Sequence, residues 1–105
     1  MAVSEMDYMN IGGGLIKASS WSDAKSKARS YILVKLYGAM GANRVFTLTI
    51  PQDDFTSNTQ YSTGHYYSAS NNSLVTFEPS TGTKTVYYGG SDITSSFTAE
   101  YYYDS

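Results

Sequence analysis

The chain has no cysteine among its 105 residues, which excludes a disulfide framework, a thiolate zinc site and a cysteine nucleophile. It has one histidine, His65, so a multi-histidine metal centre is excluded too. Charge is scarce at 15% of residues, against about 25% in an average soluble domain. No run approaches the roughly 18 apolar residues of a membrane-spanning helix, so none is expected. The opening residues, MAVSEMDYMN, bring two acids, no basic lead and no apolar run, and do not read as a signal peptide. Small secreted domains often carry disulfides. The expectation is therefore a chain made and folded in a cytoplasm.

Ser, Thr, Asn, Gly and Tyr take the place of the missing charge, with 11 tyrosines in all. So much aromatic and β-branched content argues against disorder. The length suits one domain that buries roughly 65% of its unfolded surface. The formal net charge of −2 is unevenly spread. Lys17, Lys25, Lys27, Arg29, Lys35 and Arg44 face only Asp23 between residues 17 and 44, whereas beyond them Lys84 stands against six acids. Such asymmetry orients subunits or steers a charged partner, or it is the solvated basic face of a helix. An acidic second half argues against nucleic acid, whose binders carry a basic stripe.

Residues 1–14 read as an arm ending in a glycine hinge, with IGGGLIKASS as a flexible connector. Residues 15–105 form a single β domain. Its one helix is expected near 21–30, where Ser20 and Asp23 make a capping-box-like pair and Trp21, Ala24, Ala28 and Tyr31 share a face. From Tyr31 the periodicity switches from 3.6 to two. Strands are expected at 31–37, 44–50, 65–70, 73–78, 84–88 and 93–103, with glycine-rich or asparagine turns between most of them and a long polar loop after Pro51. Pro51 ends its strand because it cannot donate to a ladder. The fold class is mainly β: an antiparallel sandwich or barrel of about six to seven strands with one short N-terminal helix.

Alternation sorts the closing FTAEYYYDS. Phe97, Ala99, Tyr101 and Tyr103 point to the core, while Tyr102 faces out between Glu100 and Asp104. In KTVYY, Val86 and Tyr88 point in and Tyr87 points out; in HYYSAS one of Tyr66 and Tyr67 must face out. Exposed tyrosine among Ser, Gly and Asn is the composition of a recognition surface, although tyrosine is also a plain strand former. The candidate ligand-binding residues are Tyr66, Tyr67, Tyr87 and Tyr102, with His65, Asn71 and Asn72 beside them. Outward Leu33, Tyr37, Val45 and Tyr102 exceed what one thin sandwich covers, and predict a homo-oligomer, a trimer.

Catalytic patterns are missing. There is no G-x-S-x-G elbow for the serines, and Asp53-Asp54 are adjacent and diverge in an extended segment instead of facing across a cleft. Asp53, Asp54 and Asn58 lack the spacing of an EF-hand loop. IGGGLIK lacks the P-loop spacing. No enzyme, cofactor or metal is expected.

A glycine-rich connector followed by a Tyr/Ser/Thr/Asn-rich β domain, without cysteine or signal peptide, resembles the distal domains of phage tail fibres and related virion adhesins. The resemblance covers residues 12–105 and lies in composition; no repeat of a fibre shaft accompanies it. It implies a trimeric, non-catalytic receptor-binding tip on a virion, extracellular once the particle is assembled. Its partners would be a cell-surface glycan or protein receptor, and other virion proteins through the N-terminal arm. The alternative is a structural virion protein, a capsid decoration or tail component, whose tyrosines form subunit contacts.

Overall fold

The computed structural model describes residues 14–65 and 72–104. The fold is mainly β, as the periodicity predicts: two four-stranded antiparallel sheets in a sandwich-like arrangement with one helix. The elements are β1 (Leu15–Lys17), α1 (Trp21–Lys27), β2 (Tyr31–Met40), β3 (Ala42–Pro51), β4 (Tyr61–His65), β5 (Ser73–Glu78), β6 (Thr83–Tyr88), β7 (Ser91–Asp92) and β8 (Phe97–Asp104). The first sheet runs β1-β8-β2-β3 and the second β4-β5-β6-β7.

Alternation builds the core as it should in a sheet buried on one side. Ile32, Val34 and Leu36 of β2, Ile50 of β3, Val75 and Phe77 of β5 and Val86 of β6 are all fully buried. Each such side chain contributes about 1.5–3 kcal/mol relative to exposure. Helix α1 adds Trp21 and Ala24. The Trp21 ring stands edge-on to Phe77 of the second sheet at 4.8 Å and tilted against Tyr101 of the first at 5.6 Å, so one side chain touches both sheets. Its indole N–H donates to the Pro79 carbonyl at 2.7 Å, which satisfies the buried donor.

The capping pair forms with a shift. The Asp23 N–H donates to Ser20 Oγ at 3.0 Å, but the Asp23 carboxylate reaches back to the N–H of Ser19 instead of Ser20. The helix stops at Lys27, earlier than expected, because Ala28 is already extended.

Four strand expectations need correction. Leu15–Lys17 is a strand and not part of a flexible connector, since it pairs with β8 from Leu15↔Asp104 to Lys17↔Tyr102. The β2–β3 hairpin is longer than its alternating segments, with pairing continuing to Met40↔Ala42 around Gly41. Strand β4 lies at 61–65, ahead of the expected 65–70, and residues 66–70 fall outside the described set. The closing strand begins at Phe97, because Ser91–Asp92 pairs with β6 and Thr94–Ser96 forms a 3-10 turn.

Candidate functional site

Across β1, β8 and β2 the outer face of the first sheet is occupied by the chain's own contacts. Glu100 of β8 gathers Lys17 Nζ at 3.2 Å, Lys35 Nζ at 3.8 Å, the Tyr37 hydroxyl at 3.0 Å and the Tyr102 hydroxyl at 2.8 Å. Burial pushes the Glu100 carboxyl up, but hydrogen bonds from Tyr102, Lys17 and Tyr37 outweigh it and hold the group below its ordinary value. The Tyr37 phenol is raised in turn, first by its bond to Glu100 and then by desolvation. A carboxylate engaged this fully is a clamp between strands, poorly placed for proton transfer.

Tyr102 belongs to that clamp, and the expectation that it is an exposed binding ring is corrected. It is 9% exposed. The reason is β1. With Lys17 opposite it on one side and Leu33 on the other, Tyr102 lies in an interior strand instead of at an edge. Leu33 and Tyr37 are likewise half-buried, whereas Val45 is open at 60%.

The outer face of the second sheet is different. Register aligns Gly64, Leu74, Tyr87 and Asp92 in one row across β4, β5, β6 and β7. Leu74 is 44% exposed and Tyr87 40%, and the two sit directly opposite each other. Gly64 brings no side chain to the row. Asp92 closes it with a carboxylate that hydrogen bonds from the Thr94 hydroxyl, and then from its N–H, hold below the ordinary value. The Thr94 N–H lies 2.9 Å from Asp92 Oδ1. Alongside runs a row of hydroxyls, Ser62, Thr76 and Thr85. Asn72 is exposed two residues before Leu74, and its carbonyl accepts from the Gly89 N–H at 2.9 Å.

No family model, curated protein or solved structure matches this chain. The site therefore rests on its own chemistry. Tyr87 and Asn72 meet the expectation of exposure; His65 ends β4 opposite Ser73, and Tyr66, Tyr67 and Asn71 lie outside the described residues. Leu74 and Asp92 were not singled out in the sequence. The signal for Leu74 was present, because Val75 and Phe77 pointing inward leave it outward. Asp92 joins only through register across the whole sheet.

Elsewhere, Asp54, Ser57, Thr59, Gln60 and Tyr61 line a shallow depression of about 320 Å³. The Tyr61 hydroxyl donates to Asp54, and that bond, with desolvation second, pushes the phenol up to about 12. Its most polar groups are thus engaged with each other. Among the described residues no group of three His, Asp or Glu side chains could hold a metal ion, and no helix is long and apolar enough to cross a membrane.

Proposed function

We propose that this chain is a non-catalytic recognition domain that binds cell-surface carbohydrate or protein through the outer face of its second sheet. In this reading it serves as a virion tail-fibre or adhesin tip, carried by the arm that precedes β1. The observation that supports it is the exposed pair Leu74–Tyr87, set between a side-chain-free glycine and a carboxylate. A tyrosine face offers amphipathic area with little side-chain entropy to lose, and it stacks on the C–H surface of a sugar while Asp92, Ser62 and Asn72 bond hydroxyls. Leu74 and Tyr87 are exposed side by side on this face. Small free ligands usually need a cleft that buries most of their surface; a ligand displayed on a cell needs only a face.

A glycan array probed with the full chain, followed by calorimetry on any hit, tests the reading. Tyr87→Ala should weaken binding about thirtyfold, the loss of roughly 2 kcal/mol typical of a central aromatic anchor. Retained affinity in a folded Tyr87→Ala protein would move the site elsewhere.

A further inference from the structure

The polar loop between β3 and β4 is not slack chain. Gln52–Asp54 forms a 3-10 turn, and the Phe55 N–H donates back to the Gln52 carbonyl at 3.2 Å. The Phe55 ring is buried and stands edge-on to Trp21 at 6.1 Å, which pins the loop to the helix that bridges the sheets. Ser57 ties it to the β5–β6 turn, since its carbonyl accepts from the Ser80 N–H at 2.9 Å. Ser57 Oγ in turn accepts from the Thr59 N–H at 3.0 Å. Loops held on a rigid scaffold are where binding residues concentrate.

This loop and the first residue of β4 supply the lining of the depression of about 320 Å³: Asp54, Ser57, Thr59, Gln60 and Tyr61. The Tyr61 hydroxyl donates to Asp54 Oδ2 and leaves Oδ1 without a partner among the described residues. That bond holds ring and carboxylate in place, so a ligand need not order them. The Thr59 hydroxyl and the Gln60 amide also lack a hydrogen bond among the described residues. Tyr61 is half-buried against the core and gives the depression an aromatic wall.

Such a lining sorts ligand classes. Among the described residues no Lys, Arg or His lines it, and its one charge is a carboxylate, which disfavours an anion. One carboxylate falls short of the six to eight oxygens that calcium takes. An apolar ligand would strand Asp54 and Gln60 without partners. An uncharged ligand rich in hydroxyls fits: it donates to Asp54 Oδ1, shares hydrogen bonds with Gln60 and Thr59, and lays a C–H face on the Tyr61 ring. The volume is at the small end for ligand sites, which suits one sugar ring and not a chain.

We propose that this depression is a subsite for one neutral sugar ring, bonded by Asp54, Thr59 and Gln60 and walled by Tyr61. Alternation puts Tyr61 on the other side of β4 from Ser62 and Gly64, so the subsite is separate from the exposed row of the second sheet. It does not depend on what that row binds.

Heteronuclear NMR of the labelled full chain, titrated with the methyl glycosides of glucose, galactose, mannose and N-acetylglucosamine, tests it. At least one should give saturable shifts of the Gln60 side-chain amide and of the backbone amides of residues 57–61. The dissociation constant should be on the order of millimolar, as befits so small a ligand in a shallow site. Gln60→Ala should weaken binding about fivefold, and Asp54→Asn about tenfold, because a charge-assisted bond is lost. Tyr87→Ala should leave it unchanged, which separates this subsite from the second-sheet face. Gln60 is exposed, so its loss reads contact and not folding, and circular dichroism checks both variants. The proposal is overturned by no saturable shift with any of these glycosides, by shifts confined to the Tyr87 row, or by Gln60→Ala binding as tightly as wild type. A response to calcium chloride in place of the sugars would overturn it too.

Discussion

Asp104 ties the last residue of β8 to the turn that leads from α1 into β2. Its carboxylate accepts from the N–H of Arg29 and of Ser30 at 3.0 Å each, from the N–H of Tyr31 at 3.2 Å and from the Ser30 hydroxyl. Burial pushes this carboxyl up; the Ser30 hydroxyl and the three N–H groups pull it down harder, to about 2. Four donors converging on one acceptor also explain why the chain can turn tightly there without orphaned amides. Asp104→Ala should lower stability at neutral pH by about 1–2 kcal/mol by urea denaturation, less than a fully buried charged acceptor because the group is partly solvated. The folded value lies below the roughly 3.9 of an unfolded aspartate, so the contribution is whole above about pH 4. It disappears as pH falls through about 2. The gap between wild type and Asp104→Ala should close over that window; a gap constant with pH would show that the loss is packing and not charge. Tyr61 gives a second residue-scale test. Its phenol, pushed up to about 12, should ionise late in an ultraviolet titration, and Asp54→Asn should bring it back toward about 10.

At the scale of elements, the turns carry the strain and α1 carries the junction. Gly82 ends the β5–β6 turn at φ +75°, and a Cβ there would lie 2.7 Å from Trp21 Cδ1. Gly90, at φ +83°, would meet nothing within 4 Å. Both alanine variants bear the left-handed penalty of about 1–2 kcal/mol. Gly82→Ala should cost about 3 kcal/mol in all, because it also displaces the ring that bridges the sheets; equal losses in chemical denaturation would mean that Trp21 moves aside freely. These elements were unequally legible in the sequence. Helix α1, β2, β3, β5 and β6 announce themselves locally, through the Ser20–Asp23 pair, the alternation of Ile32, Val34 and Leu36, and the glycines and prolines that end them. Strand β1 does not, since three residues beside a glycine run become a strand only by pairing with β8 at the other end of the chain. That one omission misplaced Tyr102, which needed β1 as a neighbour to be covered. The candidate face divides the same way: alternation alone points Tyr87 outward, whereas the row joining Gly64, Leu74, Tyr87 and Asp92 depends on three registers that no local pattern sets.

Across the whole molecule the charges sort by sheet. Lys17 and Lys35 of the first sheet converge on Glu100, and Lys27 of α1 pairs with Asp23 at 3.1 Å, so much of the basic stretch is neutralised where it stands. The outer row of the second sheet carries one acid, Asp92, beside Leu74, Tyr87 and hydroxyls. A field of this kind does little to steer a charged partner over distance, and a contact made by a ring and hydroxyls has little to screen. Binding at this face should therefore change less than about threefold between low and high salt, where the screening length falls from roughly 30 to 3 Å. It should also show a negative heat-capacity change from the buried Tyr87 and Leu74 surface. Asp92→Asn should weaken a sugar ligand modestly, by about three- to fivefold, as the loss of one rim hydrogen bond. Calorimetry on the wild type and Asp92→Asn, at two salt concentrations and two temperatures, reads all three effects on one ligand. If affinity instead collapses with salt while Tyr87→Ala binds normally, the ligand is held by charge, and the basic residues of α1 and the first sheet become the place to look.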